Sequence, residues 1–390
     1  MILTQVSNRQ QEDDFLTVHS QFNQDNPNWI KPLDKDVRAV FDPQQNKTFR
    51  QGEIVRWLLQ NDERQPIGRI AAFVNNRYTN KGDDVRVGGI GFFECINDQQ
   101  AANCLFDTAR EWLRKRGMEA MDGPINFGER DKWWGLLVTG FEPPLYTMNY
   151  NPPYYQQLFE NYGFKNFYNQ LCWRMTVASD STQLHPKFYT AHQTFANNPD
   201  FRAVHLTKSR LRAFATDFSI VYNRAWSKHE GNKEMRVEQA YQLFKSMAPI
   251  LDEKLIWFVY HREVPVAMWL NIPDINQIVT HLNGKFDLWA KLKFLVLRRL
   301  GVCTRFVGLA YGIVPEFQGT GIDYFMIVEA EKVIKASTRY KELELQWQGD
   351  FNPKMLNISR NLGAEQSRLL VTYRYLFDPL KPFHRHPVIM

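Results

Sequence analysis

The stretch Val314-Pro315-Glu316-Phe317-Gln318-Gly319-Thr320-Gly321-Ile322-Asp323 decides how this chain reads. An apolar run of strand character, 305–314, leads into it, and helical apolar spacing over 322–336 follows. Two glycines, one residue apart, let the backbone turn tightly and point successive N–H groups outward. The helix behind them adds the positive end of its dipole. A junction of this kind cradles a pyrophosphate without any cationic side chain. The stretch carries neither the G-x-G-x-x-G fingerprint of nicotinamide binding nor the G-K-S/T of nucleoside triphosphate loops.

Working outward, Asn352-Pro353-Lys354-Met355 opens a helix of about three turns that closes at Leu362-Gly363-Ala364. Asn151-Pro152-Pro153-Tyr154, closing at Gly163-Phe164, does the same in the first half. Around these matched segments both halves read strand, two helices, three strands, helix, strand, helix, strand. A repeat this long points to duplication. The polar stretch 178–199 is the connector, giving units 1–195 and 196–390. The second half also carries an insertion, 274–301. Its part 287–300 reads as a helix with apolar residues around most of the circumference, a partly buried lid rather than a membrane-surface helix.

The whole chain has 390 residues, 44% hydrophobic and 14% aromatic, enough to bury a core and too apolar for disorder. No run approaches the roughly 18 apolar residues of a membrane span. Met1-Ile2-Leu3-Thr4-Gln5 lacks the pattern of a signal peptide. Cys95, Cys104, Cys172 and Cys303 form no C-x-x-C pair, so neither a disulfide framework nor a zinc site is indicated. These features predict a cytoplasmic protein with no metal. The net charge of +6 suits an anionic ligand such as a nucleotide cofactor or tRNA.

The segment 314–323 resembles the acyl-CoA-binding loop of the GCN5-related N-acetyltransferases (GNAT). Gln318 and Gly321 fill that loop's first two fixed positions. The segment opening at Asn352 resembles the superfamily's second motif. Asp122-Gly123-Pro124-Ile125-Asn126, Gly135-Leu136-Leu137-Val138-Thr139-Gly140-Phe141 and Tyr150-Asn151-Pro152-Pro153-Tyr154-Tyr155 resemble a bacterial group of two-domain acetyltransferase-like proteins. So do Pro273-Asp274-Ile275-Asn276-Gln277 and Tyr373-Arg374-Tyr375. The resemblance implies an α/β fold of two tandem acyl-CoA N-acyltransferase-like domains, each a mixed, curved sheet with helices on both faces. It implies an acyltransferase that takes acetyl-CoA or a longer acyl-CoA and passes the acyl group to a small-molecule or peptide amine. The cofactor would meet Val314, Gln318, Gly319, Thr320, Gly321, Ile322 and Asn352. An aminoacyl-tRNA-dependent transferase, which also pairs two such domains, and a non-catalytic ligand-binding protein are the alternatives.

Two residues depart from the pattern. Asp323 stands where the loop ends in Gly or Ala, and Ser359 stands where many members place an acid tyrosine seven residues after the Asn. The first-half junction, Cys95-Ile96-Asn97-Asp98-Gln99-Gln100-Ala101, has no glycine and carries an acid. That half reads as a non-binding copy that buttresses the second. Base candidates are Glu344, Tyr311, Glu316 and His281. Of these, Glu344 alternates with Leu343 and Leu345 and also reads as a solvated strand-face acid, and Tyr311 also reads as core. Trp133-Trp134 reads as packing. The end of the chain, 381–390, reads as a docked tail, with His384 and His386 too few to hold a metal.

Overall fold

The computed structural model describes residues 1–80, 82–177, 184–226 and 234–389. In the first half, β1 (Ile2–Gln5), α1 (Arg9–Asn23) and α2 (Asp34–Val40) precede β2 (Gly52–Gln60), β3 (Pro66–Asn75) and β4 (Val87–Cys95). Then come α3 (Gln99–Arg114), β5 (Ala120–Gly123), β6 (Leu136–Thr139), α4 (Tyr155–Tyr162) and β7 (Lys165–Thr176). A linking helix, α5 (Pro186–Ala196), leads to β8 (Phe201–His205), α6 (Leu211–Ala225), α7 (Val237–Met247), β9 (Ile256–His261) and β10 (Val264–Pro273). The insertion supplies α8 (Asn276–Val279) and α9 (Leu288–Arg299). The chain ends with β11 (Arg305–Ile313), α10 (Ile322–Ser337), β12 (Glu342–Gly349), α11 (Pro353–Asn361) and β13 (Glu365–Leu376). The repeated order read from the sequence is present, with β6 an added short strand between β5 and α4.

All the strands join one sheet, in the order β1-β2-β3-β4-β5-β13-β7-β12-β11-β10-β9-β8, with β6 paired to β13. Each half contributes one parallel pair, β4 with β5 and β11 with β12; the other pairings are antiparallel. The final strands are exchanged. β13 lies between β5 and β7, and β7 pairs with β12 of the other half. Charge stitches the exchange: Arg374 on β13, 3% exposed, bonds both carboxylate oxygens of Asp122 at 2.6 and 2.8 Å. It also bonds Asp83 at 2.6 Å, and Asp122 accepts the Tyr78 hydroxyl at 2.7 Å. Removing either charge would strand the other in a buried setting, a cost of about 3–5 kcal/mol.

Helices cover both faces. Trp57, Leu59, Ile70 and Ala72 pack under α3 and α4, while the alternating Leu58 and Ala71 pack against Phe15 and Val18 of α1. The stripe of Ala101, Leu105, Ala109 and Leu113 on α3 is fully buried, as its spacing requires. Two serines that read as helix caps in the sequence, Ser7 with Gln10 three residues on and Ser209, do not act as caps. Asn8, not Ser7, caps α1 through the Gln11 N–H, and Gln11 answers to the Ser7 N–H. Ser209 caps nothing, since it lies within a 3-10 turn ahead of α6. The end of the chain is docked: His386 stacks on Phe351 at 4.1 Å, and the Ile389 N–H bonds the Phe351 carbonyl.

Candidate active site

Each half opens where its parallel pair diverges. β4 and β5 stay paired only from Val87–Ala120 to Gly89–Asp122, and β11 and β12 only from Arg305–Glu342 to Gly308–Leu345. Beyond that point the upstream strand bulges in both halves. The register against β3 jumps after Gly91 through Phe92, whose φ is 49°, and the register against β10 jumps after Gly308 through Leu309. Counting three residues from those glycines reaches Glu94 in one half and Tyr311 in the other, facing Arg69 and Trp269. The two openings are separate sites. β4 and β11 run antiparallel five strand positions apart, about 24 Å across the sheet, so their C-terminal ends lie at opposite edges.

In the second half the loop 315–321 leaves β11 and α10 starts behind it. Gly319 and Gly321 adopt φ of 76° and 86°, a region that costs other residues about 1–2 kcal/mol. The N–H groups of Gly319, Gly321, Ile322 and Asp323 donate to nothing among the described residues, and residues 318–320 are exposed. Open amides therefore stand where the sequence predicts a cradle. Gln318 turns back to bond the Ile313 carbonyl at 3.1 Å, and Val314 is buried. Asn352 caps α11 through the Met355 N–H at 3.4 Å. The Ser359 hydroxyl is buried against the Gln348 amide, at 2.7 and 3.0 Å. Tyr311 buries a hydroxyl with no hydrogen-bond partner at bonding distance. Burial and the neighbouring Asp323 carboxylate push its pKa well above the usual phenol value.

Glu344 is not a solvated acid. β12 lies inside the sheet with both faces covered, and the carboxylate is fully buried among arginines. It meets Arg305 at 3.1 Å, Arg174 at 3.4 Å and the Arg368 guanidinium, and it accepts the Ser367 hydroxyl at 3.1 Å. Asp274 bonds Arg305 and Glu142 bonds Arg174, so three carboxylates balance three guanidiniums. Burial, with Arg305 and Arg174 adding to it, lowers the Arg368 pKa to about 10. Glu316 pairs with Arg224 at the surface, and His281 is exposed. Neither is held at an opening.

The first half, read as an inert buttress, holds a small polar cavity that leaves about 50 Å³ free to water. As its junction predicts, Asp98 caps α3 through the Ala101 N–H at 2.8 Å, where a phosphate cradle would need free amides. Glu94, 4% exposed, lines the cavity from β4. Its carboxylate accepts the Tyr155 hydroxyl at 2.7 Å and lies 3.4 Å from Arg69 and 3.3 Å from His19 Nε2. Burial raises the Glu94 pKa to about 7 against the pull of Arg69 and Tyr155. Burial and the Arg69 charge keep His19 neutral, and the Trp29 indole N–H donates to its Nε2 at 3.2 Å. Tyr155 also accepts the Cys95 N–H at 3.0 Å while Tyr154 donates to the Cys95 carbonyl at 2.8 Å, fixing the end of β4. Apolar walls come from Ile30, Val37, Phe92, Trp133, Leu136 and Met148. A smaller crevice, with about 10 Å³ free to water, shares Ile30, Pro32, Trp133 and Met148 and adds Leu33 and Leu145.

The sequence did carry a sign of this site. Glu94 is the lone charged residue in the apolar run 87–95. Pro124, Trp133, Leu136, Asn151 and Tyr155, all in or beside segments that carry the family resemblance, converge on the cavity. His19, Trp29 and Arg69 gave no local signal, since the fold alone brings them to Glu94. Among the described residues no group of three or more His, Cys, Asp or Glu stands close enough to hold a metal.

No protein-family profile matches the chain. It is 26% identical over 367 residues to the bacterial ceramide synthase of Caulobacter vibrioides, covering 92% of each chain. It is also 26% identical over 364 residues to protein YghO of Escherichia coli K12, covering 90% of this chain and 89% of that one. Among solved structures, a tandem GNAT protein from the clavulanic acid biosynthesis pathway superposes with a TM-score of 0.54 at 10% identity. It covers 97% of this chain and 99% of that one. A GCN5-related N-acetyltransferase from Sphaerobacter thermophilus gives 0.50 at 10% identity, over 97% and 96%. The chain has the tandem GCN5-related N-acetyltransferase fold, an α/β architecture in which the two halves trade their last strands.

Proposed function

We propose that the chain is an N-acyltransferase that moves a fatty acyl group from an acyl-CoA thioester to the amine of a long-chain amino alcohol, with the reaction in the first-half cavity. The observation that carries this reading is Glu94, a buried carboxyl whose pKa of about 7 suits a general base at neutral pH. Apolar side chains line the wall beside it, and the similarity to a bacterial ceramide synthase runs through both halves. A ceramide is the amide of a fatty acid with such an amine.

The amine enters as an ammonium and surrenders one proton to Glu94. Its nitrogen then attacks the thioester carbonyl. As the C–N bond forms the C–S bond breaks, the thiolate takes the second amine proton, and Glu94 returns its own to solvent. Tyr155 and Arg69 hold the carboxylate in place. Acyl-CoA of varied chain length, incubated with a long-chain amino alcohol, should yield the amide by mass spectrometry together with one free thiol. The Glu94→Gln variant should make neither. Absence of amide from the native chain with every donor would overturn the reading.

A second reading places the reaction in the second half, favoured by the open amides of Gly319, Gly321, Ile322 and Asp323. There Val314, Gln318 to Ile322 and Asn352 would hold the CoA pyrophosphate, with Tyr311 as the acid. The exposed Thr320 separates the two readings. Thr320→Glu sets a carboxylate beside the cradle, and it should abolish turnover if the second half is the catalytic one.

A further inference from the structure

Helix α9 is built upside down for a protein surface. It rests on the molecule through buried Ala290 and Phe294 and half-buried Leu297. Its opposite side presents Leu288 and Trp289, 79% and 78% exposed, with Leu292, Leu295, Val296 and Leu300 also exposed. At 3.6 residues per turn these six fall within an arc of about 140°. Lys291 stands on one margin of that arc, Lys293 on the other with its ammonium on the His281 carbonyl, and Arg299 within it, while half-buried Arg298 turns in to the Leu251 carbonyl. The helix Leu288–Arg299 contains no acidic residue; Asp287 sits at its cap, bonded to the Ala290 N–H. The sequence reading of a helix wrapped in apolar residues and half buried as a lid missed this division into a packed side and a bare one.

We propose that α9 is a docking helix for an anionic lipid bilayer and seats the protein on the membrane surface. Apolar side chains facing outward with cations at their margins are the pattern of an interfacial helix, and Trp289 supplies an amphipathic anchor. Twelve residues span about 18 Å, short of the roughly 30 Å hydrocarbon core, so the helix lies in the interface rather than crossing it. Charge selects this occupant over a second copy, because a two-fold pairing would press three exposed cations, Lys291, Lys293 and Arg299, against three. The insertion is tied to the segment that lines the first-half cavity. The Gly284 carbonyl accepts the Asp34 N–H at 2.8 Å, and the Lys35 ammonium sits 3.8 Å over the Phe286 ring. The inference does not depend on the acyl-transfer reading.

The test is co-sedimentation of the full chain with vesicles of phosphatidylglycerol mixed into phosphatidylcholine, against phosphatidylcholine alone. Binding should favour the anionic vesicles, weaken with salt, and fall about tenfold or more in the combined Leu288→Ser, Trp289→Ser, Leu292→Ser variant. The thermal melt of that variant should match the native chain, since the three side chains touch little else. Lys291→Gln with Lys293→Gln should weaken binding to anionic vesicles alone. Equal binding by the triple variant, no binding to anionic vesicles at low salt, or a dimer that the triple variant dissolves would each overturn the proposal.

Discussion

The two halves are built alike and equipped differently. From Gly91 and from Gly308 the upstream strand of each parallel pair bulges, and three residues on it presents a side chain at the mouth of the divergence. In the first half that side chain is Glu94, held by Arg69, Tyr155 and His19, and the loop beyond is sealed by the Asp98 cap. In the second half it is Tyr311, with a hydroxyl that meets no partner at bonding distance, and the loop beyond leaves four amides open. One half holds a buried carboxyl at its opening without open amides; the other has the open amides without such a carboxyl. The two halves share this backbone geometry, and the side chains at their openings differ.

The largest effect that would sharpen this contrast is at Glu94. Glu94→Gln keeps the volume and the Tyr155 contact but removes the proton acceptor, and it should cut kcat by about 10²–10⁴. The native kcat/KM should rise with pH through about 7 as Glu94 loses its proton, and the variant should show no such limb. A limb that survives in the variant would break the contrast.

Glu344 is the second carboxylate to compare, equally buried but closed in by three arginines. Glu344→Gln leaves those guanidiniums undercompensated and should cost about 3–5 kcal/mol in denaturant unfolding. It should leave the pH limb of the remaining activity where it was. A moved limb would make Glu344 part of the chemistry.

Glu94 also links pH to stability. The native chain keeps its proton up to about pH 7, whereas the unfolded chain gives it up near 4.5. Stability should therefore fall as pH rises through that window, by about 3 kcal/mol at most, and Glu94→Gln should flatten the fall. The smallest expected effect is at Gly319, where an added Cβ meets nothing but φ is 76°. Gly319→Ala should cost about 1–2 kcal/mol of backbone strain and, on the first-half reading, leave the acyl-transfer rate constant unchanged.

Much of the architecture was legible because it rests on local signals. The Asn352-Pro353 start, the Gly163 and Gly363 stops and the alternating strands are written within a few residues of where they act. By contrast, α4 begins only at Tyr155 because Asn151 bonds the Leu137 backbone instead. The strand exchange was not, because β13 has the same pattern whether it pairs at home or across the molecule. Only the meeting of Arg374 with Asp122, 252 residues apart, shows which. Glu344 misled for a related reason: alternation tells which face a side chain takes, not whether that face is covered. The loop 315–321 could be read from two glycines, whereas the Glu94 cavity gathers His19, Trp29, Arg69 and Tyr155 from separate elements, so its chemistry exists only once the chain has folded.

The most direct test sets one half against the other in a single assay. Turnover of acyl-CoA with a long-chain amino alcohol is measured for the native chain, Glu94→Gln and Thr320→Glu. The account predicts that the first substitution removes amide formation and the second leaves it standing. Loss in Thr320→Glu with retention in Glu94→Gln would contradict it and move the reaction to the other half.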